Sequence, residues 1–201
     1  MNESEIKKRL FKEFQKLDIK PFIIDTEMPI PYKHIYLPAE DGDTKLELWC
    51  FKQDITIYKV LFDKSVKYKD SSIVDKQKNV LIDIVLEKDN AQNSHDVGLP
   101  FVILELKKSQ PNTHEILTYS QKAEMIKTIF PYCQFLFLVY GKVSARTYRH
   151  GINFDEIISL EDINDKNEIA KIGRILLKHL KIAQSKLDKL NQKNNPKKRK
   201  I

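Results

Sequence analysis

Three side chains in this sequence have the types and spacing of a hydrolytic centre: Asp83, Glu105 and Lys107. Asp83 interrupts the apolar run Val80-Leu81-Ile82-Asp83-Ile84-Val85-Leu86, and a second apolar run, Phe101-Val102-Ile103-Leu104, leads into Glu105-Leu106-Lys107. A carboxylate in the middle of a buried strand is costly unless a cation or hydrogen bonds compensate it. Glu105 and Lys107 lie two residues apart, which on a strand puts both on one face. If the two strands are neighbours, two carboxylates and an ammonium meet, a set suited to a hard divalent cation such as Mg²⁺ with a basic group beside it. Phosphodiester hydrolysis is the chemistry that set serves. A metal ion lowers the pKa of a bound water and neutralises charge building on phosphorus, and an ammonium stabilises the same pentavalent state. The competing explanation is an ion pair between Asp83 and Lys107 with Glu105 at a solvated strand end, although such pairs rarely improve on apolar packing.

The elements that would position these residues can be read from periodicity. Residues 3 to 17 are expected to be helical, with Ile6, Leu10, Phe14 and Leu17 at helical spacing and Asn2 and Glu5 spaced as a capping pair. Prolines 21, 29, 31 and 38 mark an extended stretch, with 33 to 37 an edge strand. Two alternating runs, 45 to 51 and 55 to 62, separated by Lys52-Gln53-Asp54, predict a β-hairpin. Residues 63 to 78 read as a loop, and the polar stretch 87 to 100 is expected to join the Asp83 and Glu105 strands directly. A helix follows from about 111 to 130 on the stripe Ile116, Tyr119, Ala123, Ile126 and Phe130. Cys133 to Val139 reads as a strand covered on both faces, 144 to 148 as a short strand, and 166 to 192 as a helix. The order predicts an α/β or α+β fold, a central mixed β-sheet flanked by helices, as a single domain over 1–193 followed by a basic, disordered tail over 194–201.

An Asp strand followed by a Glu-x-Lys strand, in the order helix, strands, Asp83, Glu105-Leu106-Lys107, helix, strand, resembles the PD-(D/E)XK nuclease superfamily over roughly residues 3 to 141. The resemblance implies a restriction-endonuclease-like core in which Asp83 and Glu105 hold Mg²⁺, with Mn²⁺ as a possible substitute, and Lys107 positions or activates the attacking water. Some members, including the amino-terminal nuclease domains of type I restriction subunits, add a carboxylate from the first helix and a Gln-x-x-x-Tyr pair. Glu5 and the pair Glu115 and Tyr119, with Glu in place of Gln, have the corresponding placement, and Glu13 and Glu87 are further candidate ligands. Their ordinary readings are a cap for Glu5, a first-turn acid for Glu115 and a core residue for Tyr119. The implied activity is a metal-dependent endonuclease acting on DNA rather than RNA, in restriction or defence, with recombination or repair as the alternative biology. A binding or assembly subunit of the same fold without catalysis is the alternative function. The implied partners are nucleic acid and no membrane, with either a homodimer or a larger restriction complex as the assembly.

Composition bounds the rest. The 201 residues suffice for one domain with a full core, and no apolar stretch reaches the roughly 18 residues of a membrane span. Without an apolar signal core at its start, the chain is expected in the cytoplasm, and Cys50 and Cys133, each in an apolar run, are expected to be reduced core residues. The dispersed histidines offer no zinc spacing, and no phosphate-cradling Gly-rich loop or Gly-x-Ser-x-Gly elbow occurs. The net charge of +7 is unevenly placed. Nine basic residues lie between Leu176 and the end against Asp188 alone, so the preceding 175 residues sum to −1. That end favours salt-sensitive contact with a polyanion, or serves only for solubility.

Overall fold

The computed structural model describes residues 1–38, 44–62, 72–73, 80–86 and 97–194. Two reciprocal caps start its first helices. Asn2 and Glu5 each accept the other's amide at 2.8 Å at the head of α1 (Glu3–Phe14), and Asn112 and Glu115 do the same for α2 (Thr113–Ile129). Each box satisfies two amides that a helix start leaves without partners. The stripe of α1 buries Ile6, Leu10 and Phe14, and that of α2 buries Ile116, Ala123 and Ile126.

The strands are β1 (Ile23–Asp25), β2 (Met28–Pro38), β3 (Thr44–Gln53), β4 (Ile55–Phe62), β5 (Ser72–Ile73), β6 (Val80–Leu86), β7 (Val97–Lys107), β8 (Gln134–Tyr140) and β9 (Glu156–Leu160). Helices α3 (Ala145–His150) and α4 (Lys166–Asn194) are the remaining elements among the described residues. The strands form two mixed sheets, β1-β4-β7-β8-β9 and β2-β3-β6-β5. In the first, β4 runs antiparallel to β1 and β7, while β7, β8 and β9 are parallel. The fold is α+β, as the element order predicts.

Residues of both parities are buried along β7 and β8, so the five-stranded sheet is covered on both faces. Tyr119 of α2 meets Phe137, which pairs in register with Glu105, so α2 lies over the face that carries Glu105 and Lys107. On the other face His179 of α4 meets Gln134 at 3.3 Å, and α1 packs beside α4 against β7. Helices therefore hold the sheet from both sides, and the Glu105 face lies under α2.

Three expectations about elements change. The runs 45 to 51 and 55 to 62 are strands, but not a hairpin: Lys52 and Gln53 extend β3, leaving only Asp54 before β4. One residue cannot make the two-residue loop a tight hairpin requires, so the chain bends at Asp54 and passes from one sheet to the other. Residues 145 to 148 lie in α3 instead of a strand, with Ser144 as its N-cap. The Gln110 side chain draws this turn in, donating to Ser144 Oγ at 2.9 Å and Thr147 Oγ1 at 2.8 Å and accepting from the Ser144 amide at 3.0 Å. Finally, 87 to 100 does not join two neighbouring strands. β6 pairs with β3 and β5, whereas both edges of β7 are already taken by β4 and β8, leaving β6 no place beside it. Most of residues 63–78, together with 87–96 and 195–201, lie outside the described residues.

Candidate active site

The site is built where the chain changes sheets. Ile55 pairs with Leu104 in the antiparallel β4–β7 ladder, so one step further along the register sets Asp54 opposite Glu105. Because β4 begins at Ile55, the ladder has no backbone acceptor beyond it for β7. The Asp54 side chain supplies one: Oδ2 accepts the Leu106 amide at 3.0 Å. In return the Glu105 carboxyl accepts the Asp54 amide. The two acids are thus locked together by backbone hydrogen bonds in both directions.

Glu105 is 8% exposed. Burial pushes its carboxyl up to about 8, and the neighbouring Asp54 carboxylate pushes the same way; Lys107, Lys122 and the Asp54 amide pull back without cancelling them. Lys107, two residues along the same face, turns its ammonium over the Tyr119 ring at 4.5 Å from the centroid and hydrogen-bonds the hydroxyl. Its Nζ lies 3.7 Å from Glu3 Oε1, whose other oxygen accepts the Lys108 amide at 3.1 Å. Burial opposes the Lys107 charge, but Tyr119, Glu3 and Glu105 outweigh it and hold the amine above the ordinary lysine value. It is an ammonium at neutral pH, fitted to stabilise negative charge. Lys122 stacks over Phe51 and Tyr119 at 4.7 and 5.4 Å, and Lys7 donates to Asp54 Oδ1 at 3.0 Å and to Glu27.

Of the residues singled out in the sequence, Glu105, Lys107 and Tyr119 come together here. Asp83 does not share their sheet. It stands in β6, in register with Glu47 of β3, and the acid opposite Glu105 is Asp54. Glu5 and Glu115 are occupied as capping residues. Glu13 is bound by Lys16 at 2.6 Å, a hydrogen bond that lowers its pKa, and faces the α1–α4 groove. Glu87 lies outside the described residues. Asp54, Glu3 and Lys7 escape sequence reasoning because each has a common surface role: Asp54 resembles a turn acid, Glu3 a helix-dipole acid, Lys7 a solvated helix lysine. The one signal for Asp54 is its position directly before an alternating apolar strand.

Among the described residues no three His, Cys, Asp or Glu side chains converge as a metal-ligand cluster. The pair Asp54 and Glu105 nevertheless fits a divalent cation. One carboxyl is buried and repelled by the other, and Asp54 Oδ1 already attracts the ammonium of Lys7. Mg²⁺ is commonly held by one or two carboxylates with waters and substrate phosphate oxygens completing its shell. No protein-family model and no curated protein matches this chain.

Proposed function

We propose that this chain is a metal-dependent nuclease of the PD-(D/E)XK kind that hydrolyses phosphodiester bonds in DNA, with Asp54 and Glu105 as the ligands of Mg²⁺ or Mn²⁺. The observation that carries this reading is the pair Asp54 and Glu105, tied together by the Asp54 amide on the Glu105 carboxyl and the Leu106 amide on Asp54 Oδ2, with Lys107 on the face of Glu105. Asp54 takes the role that the sequence assigns to Asp83.

The bound ion would supply Lewis-acid polarisation of a phosphoryl oxygen and a water of lowered pKa. The protein's part is orientation and charge. Tyr119 and Glu3 hold the Lys107 ammonium at one place and in one protonation state, so it meets the charge developing on phosphorus without reorganising. The Leu106 amide fixes the Asp54 carboxylate, and the Asp54 amide fixes that of Glu105, so neither acid has to search for its geometry. α2 over this face limits water around all three.

The test is cleavage of linear, circular and single-stranded DNA and of RNA by purified protein with MgCl₂ or MnCl₂. Asp54→Asn, Glu105→Gln and Lys107→Ala should each lower the rate by about a hundredfold or more, and Asp83→Asn should change it little. The reverse order for the two aspartates would return the role to Asp83, and intact substrates under all conditions would remove the enzyme. Lys7 seated on Asp54 favours one second reading, a nucleic-acid-binding or assembly subunit of the same fold. Metal-independent DNA binding without cleavage is its signature. Restriction or defence is the biology we attach to the enzyme, with recombination or repair behind it.

A further inference from the structure

We propose that Lys7 is a displaceable counter-cation of Asp54, which holds that carboxylate before a divalent ion binds and releases it when one does. This inference rests on the metal-site reading above and adds a residue to it. Asp54 Oδ2 is committed to the Leu106 amide, so Oδ1 is the oxygen left for a cation, and Lys7 Nζ stands 3.0 Å from it. The pair is shielded, with the Lys7 and Asp54 side chains 17% and 15% exposed. An ion entering between Asp54 and Glu105 must therefore compete with an ammonium already in contact.

Lys7 is equipped to yield. Its second partner, Glu27, is about half exposed and sits in the turn between β1 and β2. The Glu27 backbone has φ 56°, a left-handed conformation uncommon for any residue other than glycine. That turn presents a second carboxylate to the same ammonium, so Lys7 can leave Asp54 without becoming an unpaired cation. Its four-carbon stem has the rotatable bonds the shift needs. Lys107 is differently placed, held by Tyr119 and Glu3. The two lysines divide the work: Lys107 stays, Lys7 moves.

The experiment is calorimetric titration of the metal-stripped full chain with MnCl₂, comparing the wild type with Lys7→Met, Glu27→Gln and the exposed control Lys16→Met. Lys7→Met removes the competing charge and keeps the apolar stem, so Mn²⁺ should bind about tenfold tighter. Glu27→Gln deprives Lys7 of its alternative partner and should weaken binding about threefold; Lys16→Met should leave it unchanged. Should Lys7→Met fail to fold by circular dichroism, Lys7→Gln provides the same comparison. Equal or weaker binding in Lys7→Met, with binding abolished by Glu105→Gln, overturns the role of Lys7 and leaves the metal site standing. No Mn²⁺ binding by the wild type or by Lys7→Met overturns both. Binding by Lys7→Met alone supports the proposal in its strongest form.

Discussion

Asp54 stands opposite Glu105 at the point where β4 begins, and its carboxylate takes the Leu106 amide at 3.0 Å that no β4 carbonyl reaches. A structural duty, finishing a ladder, thereby brings a second acid to a buried one.

Glu105 has a folded pKa of about 8 against an ordinary value of 4.5. Between those values the native state binds a proton that the unfolded chain does not, so the contribution of protonated Glu105 to metal-free stability is fully present below about pH 4.5 and is lost as pH rises through about 8. Glu105→Gln should remove that slope. In EDTA its Tm should match the wild type near pH 4 and exceed it by several degrees near pH 9, about 4 °C or more. A wild-type Tm that does not fall across this interval counts against the buried pair.

Metal binding should carry the same signature. Burial and the Asp54 carboxylate raise the Glu105 pKa, so near neutral pH the carboxyl carries a proton that taking up Mn²⁺ displaces. Apparent affinity should rise from pH 6.5 to 8.5 and then level off. Titrations in buffers of different ionisation enthalpy count the protons directly; zero release contradicts Glu105 as ligand.

Tyr119→Phe keeps the ring under Lys107 and removes the hydroxyl that hydrogen-bonds it. A hydrogen bond to a charged group contributes about 1.5–3 kcal/mol, so Tm should fall by a few degrees and cleavage should slow by about tenfold or more. An unaltered rate would make Tyr119 a packing residue alone.

Away from the site, Glu156 accepts from His179 Nε2 at 2.8 Å and from Lys178 at 3.0 Å. Burial works against its charge, but these hydrogen bonds outweigh it and hold the carboxyl below its usual value. Its contribution is therefore present above about pH 4.5 and lost as pH falls through the lower folded pKa. Glu156→Gln should lower Tm by about 2–4 °C at pH 7 and have little effect near pH 2, read by thermal melts across that range.

The helices α1, α2 and α4, strand β8 and the buried cysteines are all legible from pattern, because each is a local consequence of spacing, caps or a continuous apolar run. β1 and β9 are not, since three- and five-residue strands carry too few positions to show a period. α3 is not, because its form depends on a side chain thirty-four residues earlier, Gln110 on Ser144.

Alternation and desolvation act within a segment, so pattern alone puts Glu105 and Lys107 on one face of a buried strand and demands an explanation for the acid in the apolar run of Asp83. Which acid faces Glu105 depends instead on the order of strands in the sheet. Strand neighbours are chosen by which edges remain free, and with β4 and β8 on both sides of β7 the acid opposite Glu105 is Asp54, the residue just before β4, while Asp83 pairs against Glu47 in the other sheet.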